Sequence, residues 1–274
     1  MKVNDFIQRL EHSGITNAKQ ETLWLISSAL GVDTSKILTI EKFSPDEIEK
    51  INALISRREA GEPLQYIMGE ADFYGRDFYV GKGVLIPRHD TETLITAMKK
   101  FFPVEADEQK LKFLDWGTGS GCIAITILLE YKNSFGYMLE NSEAALKFTE
   151  KNLRRYDVQN RAKIISEINC ENNFDLIISN PPYIPSNEIS TLDDTVKNYE
   201  PHSALDGGID GMDFYRLILK QAVKILKPEG YIIFETGNMF QVEAMKNFND
   251  EFIFEGEILD TGNFPRCIVL RRRD

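Results

Sequence analysis

From Lys112 onward, short apolar runs alternate with helical periodicity, and this alternation limits the fold more than any other feature of the chain. Phe113–Trp116, Phe135–Leu139, Ala162–Ile165, Phe174–Ser179 and Gly230–Glu235 read as strands, with helices between them and one starting at Met212. Strands apolar on both faces and joined by helices form a parallel sheet covered on both sides. Phe252–Ile258 and Arg266–Leu270 follow around a turn at Thr261-Gly262-Asn263 and read as a closing antiparallel pair. The expected fold is α/β, a doubly wound, mostly parallel sheet of seven strands. Neither an internal repeat nor a low-complexity tract interrupts it.

Upstream the pattern differs. Val3–Leu10 and Thr22–Leu30 carry apolar residues at helical spacing, and Gly31 suits a helix stop. Ser44-Pro45-Asp46-Glu47 is a helix start with Ser44 as N-cap, Pro45 in the first turn and Glu47 closing a capping box. Residues 1–68 are therefore expected to form a small helical domain, without visible chemistry, that contacts a substrate. Aromatics flank Gly75-Arg76, so 69–86 read as a β-hairpin linker to a third region, 87–274. Leu85–Glu92, spanning that boundary, leads into a helix capped by Thr91 or Asp90.

Composition narrows the function classes. The 274 residues suffice for one large domain or a medium and a small one. The longest apolar run, Cys122–Leu129, is far short of the roughly 20 residues of a membrane span. Asp5, Arg9 and Glu11 stand where a signal peptide needs an apolar core, so a cytoplasmic protein is expected. Cys122, Cys170 and Cys267 are widely spaced, and with His12, His89 and His202 they suit neither a disulfide framework nor a metal site. A net charge of −11 opposes tight, non-specific nucleic-acid binding. The basic cluster Arg271–Arg273 reads as a solvated tail.

Two stretches carry chemistry. Phe113 to Gly121 runs from a strand into a glycine-rich turn and then a helix, so that backbone N–H groups can approach a ligand. A dinucleotide fingerprint wants glycines at 117, 119 and 122, but Cys122 occupies the last position and the third glycine is Gly121. Asp115 at the strand end suits a cationic ligand such as S-adenosylmethionine. Glu140, 19 residues beyond Gly121, can accept both hydroxyls of a ribose. After the next strand, Glu167 or Ile168 can meet an adenine. The second stretch is Asn180-Pro181-Pro182-Tyr183 at the end of the buried run Phe174–Ser179. Two prolines fix φ and withhold N–H groups, so the chain leaves the sheet stiffly with its carbonyls and the Asn180 side chain free to accept. Such acceptors suit a planar –NH2 that must be oriented for attack.

With these residues the chain resembles the bacterial release-factor glutamine methyltransferases, which methylate N5 of the glutamine in a Gly-Gly-Gln motif. The resemblance rests on residues 63–75 (PLQYIMGEADFYG), 84–94 (VLIPRHDTETL), 115–121 (DWGTGSG), 180–185 (NPPYIP) and 199–216 (YEPHSALDGGIDGMDFYR). It implies a Rossmann-like class I methyltransferase domain, S-adenosylmethionine as cofactor, release factors as partners and no membrane association. Carried over by position, Asp115, Gly117, Thr118, Gly119, Ser120 and Gly121 would hold the methionine end of the cofactor, Glu140 the ribose, and Glu167 or Ile168 the adenine. Asn180, which the resemblance also sets against the cofactor, would grip the substrate amide with Pro181, beside Pro182 and Tyr183. Leu85, Arg88 and Thr91 would wall the substrate approach. Glu140 stands where members commonly have Asp, Ile168 where an aromatic is frequent, His89 where proline is frequent and Trp116 where leucine is. The implied reaction is an in-line transfer with neither a covalent intermediate nor a dedicated base. An adenine-N6 DNA methyltransferase would use the same NPPY on a flipped base. The acidic balance counts against it. The Gly121 spacing counts against a nicotinamide oxidoreductase, and the joint presence of loop, acid and NPPY against a non-enzymatic binding module.

Overall fold

Amphipathic helices build the first part of the chain: α1 (Val3–His12), α2 (Ala18–Leu30), α3 (Thr34–Ile37), α4 (Pro45–Glu59) and α5 (Leu64–Met68). The computed structural model describes residues 1–102, 110–168, 173–248 and 250–274. They divide into two units, 1–70 with 193–199, and 71–192 with 200–274. In the first unit Phe6, Leu10, Leu25, Ile26, Ile51 and Ile55 form a fully buried core. The Ser44 box closes as its residues dictate, with Ser44 N donating to Glu47 Oε2 at 2.8 Å. Gly31 ends α2 in the left-handed region at φ 65°. The segment 193–199 contributes α9 (Asp194–Lys197), and Tyr199 donates its hydroxyl to the Ala60 carbonyl at 2.6 Å.

The second unit starts with a hairpin, β1 (Glu70–Phe73) and β2 (Arg76–Tyr79), turned through Tyr74 and Gly75 at φ 56° and 67°. Asn152 ties it down, accepting from Tyr79 N at 2.8 Å and donating to Tyr79 O at 3.0 Å. Then follow α6 (Glu92–Phe101), β3 (Lys112–Trp116), α7 (Cys122–Glu130), β4 (Phe135–Leu139), α8 (Glu143–Arg155), β5 (Ala162–Ile165) and β6 (Phe174–Ser179). After α9 the chain continues as α10 (Asp213–Ile225), β7 (Leu226–Glu235), α11 (Met239–Lys246), β8 (Phe252–Leu259) and β9 (Pro265–Arg272).

The seven strands are ordered β5-β4-β3-β6-β7-β9-β8, with β9 antiparallel to both neighbours and the other pairs parallel. Both faces are covered. On β3, Phe113 packs into one core with Ile95, Met98 and Ile127, while Leu114 packs into the other with Ile218, Leu219 and Val242. The chain goes outward from β3 to β5 and then returns to place β6 on the other side of β3. The carboxyl ends of β3 and β6 thus flank a topological switch point, where open α/β sheets bind their ligands.

Two expectations are corrected. The seventh strand begins at Leu226, not Gly230, because the β6–β7 register breaks between Phe174 and Leu176. Lys227–Gly230, containing Pro228 and a left-handed Glu229 at φ 62°, forms the irregularity. Arg271 and Arg272 are not a solvated tail. They belong to β9, where Arg271 Nε pairs with Glu255 at 2.6 Å and Arg272 donates to the Leu226 carbonyl. Cys122 and Cys267 are buried and free, and Cys170 lies outside the described residues. No helix among the described residues is long and apolar enough to cross a membrane.

Candidate active site

A cavity of about 460 Å³ opens at the switch point. Gly117, Thr118, Gly119, Ser120, Glu140, Asn180, Pro181 and Pro182 line it, together with Leu85, Arg88 and Thr91. Its size is that of a small-molecule site.

The glycine loop is shaped from behind. Asp115, fully buried, accepts from Thr118 Oγ1 at 2.5 Å and from Ala124 N at 3.3 Å through Oδ2. Its Oδ1 has no partner. Burial pushes this carboxyl up to about 7 against the pull of those two donors. Asp115 therefore stands behind the loop, outside the cavity lining, where it holds the turn and the start of α7. Gly121 also lies outside the lining. A Cβ there would stand 3.0 Å from Met138 Cε and 3.1 Å from Ile125 Cδ1, so this glycine serves close packing. Gly117 and Gly119, at φ 75° and 56°, need the left-handed region to turn the loop into the cavity.

Glu140 reaches back across this loop. Its Oε2 accepts from Gly119 N at 3.0 Å, and its Oε1 accepts from Asn141 N at 2.9 Å and Ser142 N at 2.8 Å. A carboxylate has about four acceptor positions. Glu140 therefore has room for a single ribose hydroxyl, where the sequence suggested both. Glu167 and Ile168 lie beyond β5 and outside the cavity lining.

At the end of β6, Ser179 is buried and donates to the Trp116 carbonyl at 2.6 Å, joining the two strand ends. Asn180 Nδ2 donates to Thr91 Oγ1 at 3.0 Å, which leaves the acceptor Oδ1 as the half of the amide available to a ligand. Thr91 sits at the N-cap position of α6, as its sequence suggested, but its side chain makes no capping bond. Its hydroxyl is turned to Asn180 instead.

Tyr183 faces away from the cavity. Its hydroxyl donates to Glu235 Oε1 at 3.2 Å, and burial followed by the nearby Glu235 charge raises its pKa well above the ordinary tyrosine value. The turn it belongs to is clamped by backbone. A Cβ at Gly207 would lie 2.7 Å from Tyr183 Cα, and one at Gly237 would lie 2.5 Å from the Tyr183 ring. Ile184 N donates to Leu205 O at 3.0 Å, Gly207 N to Ile184 O at 2.8 Å, and Gln241 Nε2 to Tyr183 O at 2.7 Å.

Motif reading passed over two buried carboxylates. Glu200 accepts from Ile86 N at 3.0 Å and pairs with Arg88, the cation of the lining. Glu235, at the tip of β7, is 1% exposed and is pushed up to about 7 by burial. Ser203 and Phe214 complete the wall from the segment after Glu200. A glutamate at a strand tip or in a loop carries no local signal that it will be buried.

Comparison with known proteins accords with this geometry. The PrmC N-terminal domain family model matches residues 3–69, and the Eco57I restriction-modification methylase model matches residues 91–266, the stretch that carries NPPY. A release factor glutamine methyltransferase of Geobacter sulfurreducens is 40% identical over 234 residues, covering 83% of this chain and 80% of that protein. Another, of Koribacter versatilis, is 34% identical and covers 97% of this chain and 95% of that protein. The crystal structure of a methyltransferase from Pyrococcus furiosus shares the fold, with a TM-score of 0.52 at 16% identity over 81% of this chain and 100% of that one. The relatives match across both units, and the restriction-modification model covers 91–266, most of the second unit together with the segment 193–199. The chain belongs to the release factor glutamine methyltransferase family.

Proposed function

We propose that this protein transfers a methyl group from S-adenosylmethionine to the side-chain amide nitrogen, N5, of the glutamine in a release factor's Gly-Gly-Gln motif. The observation that carries the proposal is the acceptor half of Asn180, held beside the rigid Pro181-Pro182 turn in the wall of the cavity.

The residues fit the donor. Arg88, the cation of the described lining, is already paired with Glu200, so nothing there is aimed at a pyrophosphate. Glu140 keeps an acceptor position for a ribose hydroxyl, and Gly117 and Gly119 bring backbone to the cavity surface. S-adenosylmethionine, when bound, supplies an electrophilic methyl on a sulfonium. Asn180 Oδ1 and the Pro181 carbonyl accept the two hydrogens of the substrate amide. This grip fixes the nitrogen and favours the pyramidal, partly cationic form it takes on as it attacks. The new N-methyl amide then loses its extra proton to water, so no dedicated base is required. The helical domain 1–68 adds contact with the protein substrate, and the setting is cytoplasmic. The net charge of −11 disfavours a nucleic-acid substrate for the same NPPY.

Incubation with labelled S-adenosylmethionine and three acceptors tests this. A release factor should be labelled, while its Gln→Ala variant and plasmid DNA should not. Label on DNA alone would replace this reading with the adenine one.

A further inference from the structure

We infer that Gln241 is a positioning residue for the proposed transfer: its side-chain amide anchors the far end of the NPPY turn and so sets where the acceptors stand. The inference rests on the reading of Asn180 and the Pro181 carbonyl as the grip on the substrate amide.

Gln241 sits in the first turn of α11 and is fully buried. Its Oε1 accepts from Gly237 N at 2.8 Å and from Asn238 N at 3.3 Å, while Asn238 Oδ1 accepts from Gln241 N at 3.0 Å. These bonds make a capping box, with Asn238 as N-cap and Gln241 three positions on. A cap needs only the oxygen half of the amide. The nitrogen half is committed elsewhere. Nε2 donates to Tyr183 O at 2.7 Å and to Gly211 O at 3.2 Å. Both N–H groups and both lone pairs are thus engaged, which is all an amide can offer. Each partner is a main-chain group of fixed polarity, so the network admits one orientation of this amide.

The Tyr183 carbonyl is where this grip reaches the site. Pro181 and Pro182 stand between Tyr183 and Asn180. They donate no backbone hydrogen bond and each fixes φ, so the segment behaves as a stiff strut. A strut is placed by its ends. At the near end Ser179 donates to the Trp116 carbonyl at 2.6 Å. At the far end Tyr183 O is held by Gln241, and Ile184 N donates to Leu205 O at 3.0 Å. Glycine makes this closeness feasible: a Cβ at Gly211 would collide with the Tyr183 carbonyl and lie 2.8 Å from Gln241 Nε2. A shift of the Tyr183 carbonyl therefore passes through two prolines to the Pro181 carbonyl and Asn180. Gln241 itself lies outside the cavity lining and acts only through the turn.

Two substitutions in the full chain separate the anchor from the cap. Gln241→Glu keeps the oxygen that caps α11, since glutamate serves in a capping box as well as glutamine. It loses the donors and sets a carboxylate oxygen against two carbonyls. Asn238→Ala does the reverse, removing the N-cap side chain of α11 and leaving the bond to Tyr183 in place. The first readout is amide hydrogen exchange, which needs no substrate. In Gln241→Glu the Ile184 amide should exchange about 10-fold faster or more, a local opening of the turn, while amides late in α11 keep their protection. In Asn238→Ala the pattern should reverse. Unchanged exchange at Ile184 in Gln241→Glu would overturn the inference.

The second readout is methylation of a release factor at saturating cofactor. Gln241→Glu should lower kcat on the order of 10²-fold, the scale of a small misplacement at a reacting centre. KM for the release factor and cofactor affinity should stay near those of the unaltered protein. Asn238→Ala should lower the melting temperature, as loss of a cap does, and leave kcat unchanged. Gln241→Met adds no charge and serves if the glutamate variant does not fold; it should lose both the cap and the rate. A residue that only capped α11 would give the opposite order, with Gln241→Glu near normal and Asn238→Ala the poorer enzyme. That order, or full kcat in Gln241→Met, would contradict the inference. If the unaltered protein labels no release factor, the proposed function fails instead, and the exchange result still decides whether Gln241 anchors the turn.

Discussion

Asn180 illustrates how little of a proposed catalytic residue's task is visible in the residue itself. Its position after a buried run and before two prolines can be read directly, because strand termination and proline stiffness are local effects. Its polarity cannot, because that depends on Thr91, 89 positions away in sequence. Glu140 lies between these cases. Its place after β4 is what nominates it as a ligand carboxylate, but its hold on Gly119 N appears only in three dimensions. Glu140→Ala should therefore weaken cofactor binding doubly, by removing an acceptor and by loosening the loop. S-adenosylmethionine should raise the melting temperature of the unaltered protein through mass action. It should raise that of Glu140→Ala much less, as followed by thermal denaturation, and equal shifts would remove Glu140 from the binding site.

Elements whose causes are local match their sequence signals. The Ser44 box, the Gly31 stop and the turn before β9 all follow from side chains adjacent to the backbone they satisfy. Elements set by distant partners do not. The irregular start of β7 and the inclusion of Arg271 and Arg272 in β9 depend on pairing across the sheet. The same holds for the backing of the NPPY turn, where Gly207 and Gly237 matter because another backbone or ring lies against them. In Gly207→Ala the new methyl would meet Tyr183 Cα at 2.7 Å and the Pro182 carbonyl at 2.8 Å, both main-chain atoms that cannot swing aside. Overpacking of this kind costs about 1–3 kcal/mol. The variant should lose stability on that scale in chemical denaturation, and also turnover, since the displaced turn carries the proposed acceptors. Unchanged turnover would show that the turn tolerates movement.

At the scale of the whole molecule, the strand order places the ends of β3 and β6 at one switch point, and the chemistry follows from that topology. The site also carries a stability cost. Asp115 and Glu235 titrate near 7 in the folded protein, against ordinary values of 3.8 and 4.5. Between the ordinary carboxylate range and about 7 the folded state binds more protons than the unfolded one, so stability must fall as pH rises through that window. Melting temperatures across it should decline more gently for Asp115→Asn than for the unaltered protein, and parallel curves would contradict the assignment. The central claim is that acceptors preset by the NPPY turn orient a substrate amide. Its most direct test is single-turnover methyl transfer to a release factor by Asn180→Ala, with cofactor affinity titrated in the same preparation. The rate should fall about 10²–10³-fold, the scale of one lost preorganised hydrogen bond at a reacting centre, while cofactor affinity changes far less. Near-normal transfer by Asn180→Ala would mean that the turn is only structural and that the acceptors lie elsewhere.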